Sequence, residues 1–255
     1  MMELEICVDS VQSAIAAELG GAQRVELCSA LSEGGLTPSA GLIREVRARI
    51  GIGLHVIIRP RGGDFFYSDE EFAVMREDIR SAALCGVNGV VFGLLTADAE
   101  VDVERTRELV ELSRPMKVTF HRAIDMACDL EEALEEVVQT GADRILTSGG
   151  EESAIPGSGR IANLVRRAGD RIGVMVCGGV RPENVQEIVQ STRATQFHAA
   201  LRTAVPSPIT NRKAGLYMGD PGRDEYVRYT VLASDVRSLR QAIDAVRVDG
   251  VSIGR

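Results

Sequence analysis

Eight short aliphatic runs recur along this 255-residue chain, each followed by a stretch with helical spacing. That alternation limits the fold more than any other feature. The runs are Leu4–Asp9, Arg24–Ser29, Leu54–Pro60, Gly89–Leu95, Lys117–Arg122, Arg144–Ser148, Ile172–Cys177 and Gln196–Leu201. Between them, Val11–Leu19 follows Asp9-Ser10, Asp69–Leu84 follows Ser68, and Glu131–Gln139 follows Asp129. Glu71 completes an S-x-x-E capping box with Ser68, and Glu132 stands three positions after Asp129. Gly20-Gly21, Gly86 and Gly141 stand where helices end in a left-handed residue. Eight strands each followed by a helix, over about 250 residues, form the signature of a (β/α)8 barrel, an α/β fold. An open doubly wound sheet needs about five or six strands and a Gly-x-Gly-x-x-Gly fingerprint, which the sequence lacks.

No linker divides the chain, so residues 1–255 are expected to form a single domain. The one irregular stretch is 203–230, with PSP and DPG turns. It is long for a loop without structure of its own, so a lid or an oligomer contact is expected there. Asp235–Val246 then reads as the closing helix. A net charge of −8 argues against a nucleic-acid phosphate track. No apolar run reaches the roughly 18–20 residues that span a bilayer. The opening MMELEICVDS lacks the basic segment and apolar core of a signal peptide. Five scattered cysteines, an odd number, then read as reduced thiols of a cytoplasmic protein.

Barrel strands alternate side chains between the interior and the helical shell. The shell parity must be aliphatic. Assigning Leu4, Ile6 and Val8 outward leaves Glu5, Cys7 and Asp9 inside. The same step places Glu26 and Cys28 inside on the second strand, and His55, Ile57 and Arg59 on the third. Thr119 and His121 face inward on the fifth, Met175 and Cys177 on the seventh, His198 and Ala200 on the eighth. An ordinary barrel fills this space with Val, Ile and Leu. Here the interior holds carboxylates, an arginine, three imidazoles and three thiols, which must pair internally or meet water or a ligand.

"LEIC" (Leu4–Cys7) and "VELC" (Val25–Cys28) place two thiols at matching positions on neighbouring strands. Adjacent inward thiols can share one ion, and a soft pair suits Cu(I). Equally, free cysteine packs as a small hydrophobe. In "HVIIRPRGGDFFYSDEE", Arg59 and Arg61 emerge at a strand end and form a candidate anion clamp. The other reading is that they neutralise Glu5, Glu26 or Asp64. Gly178-Gly179 opens the loop after the seventh strand, where barrels commonly bind phosphate, and Pro182 fits a first helical position. In "VTFHRAID", His121 at a strand C-terminus is the best general acid–base, against the alternative of a hydrogen-bonded core histidine.

The segments "EICVDSVQSAIAAELGGAQRVELCSALSEGGLTPS", "HVIIRPRGGDFFYS", "VTFHRAID", "ILTSGG" and "MGDPG" together resemble the CutC family of copper homeostasis proteins. The resemblance runs from at least Glu3 to Val246. It implies a single TIM-barrel domain, cytoplasmic and assembled as a homodimer or homotetramer. It also implies a Cu(I) site at Cys7 and Cys28.

Two functions follow as expectations. The first is a Cu(I)-binding protein with Cys7 and Cys28 as ligands, supplemented by Met175, Cys177 or His198. The second is a lyase- or isomerase-like barrel enzyme acting on an anionic or phosphorylated small metabolite. There His121 is the acid–base, Glu26 or Asp9 its partner, and Arg59, Arg61, Gly178 and Gly179 hold the anion. A purely structural scaffold that assembles through the 203–230 loop is a third reading.

Overall fold

The structure is a computed structural model that describes residues 2–213, 215, 216, 218, 222 and 224–246. Side-chain alternation decides its layering. The strands are β1 Glu3–Val8, β2 Arg24–Leu27, β3 Gly53–Ile57, β4 Gly89–Phe92, β5 Lys117–Phe120, β6 Arg144–Thr147, β7 Gly173–Val176 and β8 Gln196–Ala199. They pair in parallel in chain order, and β8 closes on β1 to complete a TIM barrel. Leu4, Ile6, Val25, Leu27, Leu54, Val56, Val118, Phe120, Val174 and Val176 pack outward into one apolar layer beneath the helices. Cys7, Cys28 and Ile57 form a separate interior cluster against Ala200, and Leu146, Met175 and Cys177 another.

The surrounding helices are α1 Val11–Leu19, α2 Ala40–Arg47, α3 Asp69–Leu84, α4 Val103–Ser113, α5 Leu130–Thr140, α6 Ser158–Ala168, α7 Val185–Thr192 and α8 Ala233–Ala245. Local signals set their starts. Ser10, Ser39, Asp102 and Asp129 accept hydrogen bonds from first-turn amides, and Ser68 and Glu71 form the reciprocal capping box. Pro182 is not the first helical residue. It sits in a turn ahead of α7, where the Asn184 side chain accepts from Arg181 N at 2.9 Å.

The strands are shorter at their C-terminal ends than the aliphatic runs. Asp9, Cys28, His121 and Cys177 each stand one residue beyond the last strand position, and Arg59 two. Three of these still donate a ladder hydrogen bond: Cys28 N to Val8 O at 2.9 Å, His121 N to Phe92 O at 2.8 Å, and Cys177 N to Thr147 O at 2.9 Å. Their side chains therefore stand at the C-terminal ends of the staves.

The inner face of β4 explains two glycines. A Cβ on Gly89 would stand 2.5 Å from His55 Nε2, and one on Gly93 would stand 2.6 Å from His121 Nδ1. Bulky imidazoles on β3 and β5 therefore require glycine at these two inward positions, on either side of buried Val91.

The 203–230 stretch is not wholly irregular. Its ends pair as an antiparallel ribbon of β9 Thr203–Pro206 and β10 Val227–Thr230. Ser13 on α1 anchors this ribbon, accepting from Val231 N at 3.1 Å and sharing a 3.3 Å hydroxyl contact with Thr230. The turn expected at 220–222 falls on residues 220 and 221, which lie outside the described residues.

Candidate metal centre

Inward parity and the β1–β2 register bring the two thiols together. Cys7 pairs with Glu26 across the ladder, so Cys28 lies diagonally beyond it, and the sulfurs are 3.8 Å apart. Both cysteines are buried and free. Two thiolates each about 2.3 Å from one ion span this 3.8 Å at an angle of about 110°, close to tetrahedral. The pair therefore fits a single shared ion, and its softness suits Cu(I).

Polar side chains from three strands surround the thiols. Glu26 Oε2 accepts from Cys28 Sγ at 3.5 Å and lies 3.8 Å from His198 Nε2. Donor atoms of Cys7, Glu26 and His198 all fall within 4.8 Å of one another. Toward the N-terminal end, His198 Nδ1 sits 2.7 Å from Glu5 Oε1. Glu5 also binds Arg24 Nε. Arg24 continues to Glu3 Oε2 at 3.2 Å and Met175 Sδ at 3.3 Å. A polar file thus runs along the barrel interior from half-exposed Glu3 to the thiols.

This environment divides the charges. Burial raises the Glu5 carboxyl, but Arg24 and then His198 outweigh it and hold it well below the usual carboxylate range. Glu26 has no arginine. Burial pushes it up to about 8, against the pull of His198, so it is protonated at neutral pH. The hydrogen bond from Cys28, working against burial, brings Cys7 down to about 6. The same bond and burial push Cys28 well above the ordinary thiol range. The two sulfurs therefore share one proton more readily than they hold two. Burial alone would lower His198, but Cys7 and Glu5 raise it well above the ordinary value.

The remaining predicted residues do not converge. His121 is buried, and its Nδ1 accepts from Ala123 N at 3.2 Å. Its ring meets Phe65 edge-on at 4.9 Å. Burial, reinforced by Arg59, lowers its pKa to about 3. Glu26 turns to Cys28 and His198, while Asp9 stands 3.9 Å from Arg202 beside the ribbon. Among the described residues, no hydrogen bond or ion pair joins His121 to either acid.

Arg59 is occupied by the carbonyls of Glu33 (2.5 Å), Gly35 (3.3 Å) and Gly63 (2.7 Å), tying two loops together. Arg61 pairs with Asp64 at 3.0 Å and Glu71 at 2.6 Å. Of the partners expected for these arginines only Asp64 is used, because the backbone reaches Arg59 first. Gly178 and Gly179 have φ of +86° and +76°. A Cβ on Gly178 would stand 2.9 Å from Ser148 Cβ, so loop packing explains that glycine without an anion. Of the supplementary ligands, Met175 is bound to Arg24, and Cys177 packs with Leu146 and Met175.

Two features were missed. Arg24 shares the inward parity of Glu26 and Cys28, so the same alternation reveals it. Asp125 gathers Thr147 Oγ1 (2.5 Å), Ser148 N (3.0 Å), Gly150 N (3.0 Å) and Arg122 Nε (2.8 Å), locking the loops after β5 and β6. No local pattern announces that convergence.

Comparisons place this geometry among known proteins. The sequence model of the CutC family matches residues 2–203. A "family protein CutC" of Chromobacterium violaceum is 51% identical over 241 residues, covering 94% of this chain and 98% of its own. The human "copper homeostasis protein cutC homolog" is 46% identical over 237 residues, covering 93% of this chain and 86% of its own. The crystal structure of a CutC protein from Streptococcus agalactiae superposes with a TM-score of 0.73 at 36% identity, over 78% of this chain and 98% of that one. With its closed barrel and facing thiols, this chain belongs to the CutC family.

Proposed function

We propose that this protein serves copper homeostasis by binding Cu(I) between Cys7 and Cys28 inside the barrel. The observation that carries the reading is the 3.8 Å approach of two buried free thiols from neighbouring strands. The human and mouse relatives named for copper homeostasis, at 46% and 45% identity, support it. One sulfur is already biased toward thiolate, so binding requires the loss of only one thiol proton near neutral pH. The protein acts in the cytoplasm, where thiols stay reduced. No helix among the described residues is long and apolar enough to cross a membrane. It works as a homo-oligomer, for which exposed Ile209, Leu216 and Met218 beyond the ribbon offer an apolar contact.

The test is an anaerobic Cu(I) titration against a competing chelator. Wild type is expected to withdraw one equivalent of copper, and the Cys7→Ser/Cys28→Ser variant is not. Equal affinity in both proteins overturns the reading.

A further inference from the structure

Resting on that copper site, we propose that His198 Nε2 is the third donor to the ion held by Cys7 and Cys28, with Glu5 as the carboxylate that orients it. A histidine metal ligand commonly fixes its other ring nitrogen on a carboxylate, which sets the ring's direction and basicity. His198 has this arrangement. Nδ1 is held at 2.7 Å by Glu5 Oε1, and Nε2 faces the space shared with Cys7 and Glu26.

The Glu5–His198 contact is not needed to neutralise Glu5, because Arg24 already pairs with that carboxylate. Arg24 in turn is braced by Glu3 and Met175, so the orienting carboxylate is itself fixed. The other candidates fail on position or chemistry. Met175 Sδ is engaged by Arg24, and Cys177 packs in a different cluster. Glu26 offers a hard oxygen, less suited to Cu(I) than imidazole.

X-ray absorption of the Cu(I)-loaded full chain reads the donor set directly and needs no variant. Two sulfur scatterers plus one nitrogen are expected; two sulfurs alone overturn the proposal while leaving the copper reading intact. His198→Ala is expected to lose the nitrogen scatterer and at least about tenfold in affinity by chelator competition; retained affinity also overturns it. Glu5→Gln is expected to cost roughly 10–100-fold in the wild-type background, and little when His198 is already alanine. Equal losses in both backgrounds refute the orienting role. Failure of the Cys7→Ser/Cys28→Ser control to weaken binding condemns the copper site itself, a separate result.

Discussion

Replacing Glu26 by glutamine is expected to stabilise the metal-free protein, and increasingly so as pH rises. Burial holds the Glu26 proton in the folded state up to about pH 8, whereas the unfolded carboxyl releases it near 4.5. Above pH 4.5 the unfolded chain therefore binds fewer protons than the folded one, so stability falls with rising pH until about pH 8. At about 1.4 kcal/mol per pH unit, Glu26 costs roughly 1.5 kcal/mol at pH 5.5, about 3 kcal/mol at pH 7 and about 4 kcal/mol at pH 8. Glutamine has the same shape, keeps an acceptor for Cys28 and does not ionise, so it removes this cost. In a domain of this size the gain at pH 7 corresponds to a Tm increase of roughly 6–12 °C. Thermal melts of metal-free wild type and Glu26→Gln at pH 5.5, 7 and 8 measure it. A variant less stable than wild type would mean that Glu26 is ionised as a counter-ion of His198. A gain independent of pH would equally refute the reasoning. A residue retained at such a cost is what a binding site requires and a core does not.

Three further outcomes follow from the same geometry. Burial lowers both His55 and His121 to about 3, so each stays neutral in the fold while the unfolded imidazole gains a proton below about pH 6.5. Stability is therefore lost as pH falls through 6.5, by about 2 kcal/mol per histidine at pH 5, and nitrogen-detected NMR at that pH should find both rings neutral. Gly93→Ala puts a methyl 2.6 Å from His121 Nδ1 and is expected to cost about 1–3 kcal/mol in a denaturant titration, with displacement of the His121 resonances. Asp125→Ala strips the acceptor from Thr147, Ser148 and Gly150 and should lower stability by about 3 kcal/mol; Asp125→Asn, which keeps an acceptor, is expected to cost less by the same melt.

Much of the fold and half of the site were legible because they depend on short-range rules. The 3.6- and 2-residue periods locate helices and strands, and the aliphatic parity of β1 leaves Glu3, Glu5 and Cys7 inward, with Asp9 following at the strand end. Hydrogen-bond partners are set by distances between strands far apart in sequence, and there the sequence left two readings open. Arg59 and Arg61 look like an anion clamp until loop carbonyls and Glu71 are seen to occupy them. His121 looks like an acid–base until Ala123 and Phe65 enclose it. The ribbon of β9 and β10 escaped notice because four-residue strands separated by twenty residues leave no local periodicity.

The sequence by itself determined the barrel, the inward set and the pairing of Cys7 with Cys28, because alternation and chain order are properties of the backbone. Only the tertiary structure decided what the glutamates do. Barrel closure brings β8 against β1, and residues 193 positions apart become a 2.7 Å contact between His198 and Glu5. Glu5 and Glu26 are identical residues with identical parity on neighbouring strands. One meets Arg24 and stays ionised, while the other meets only thiols and an imidazole and keeps its proton. That difference comes from the charge each carboxylate faces once the barrel has closed.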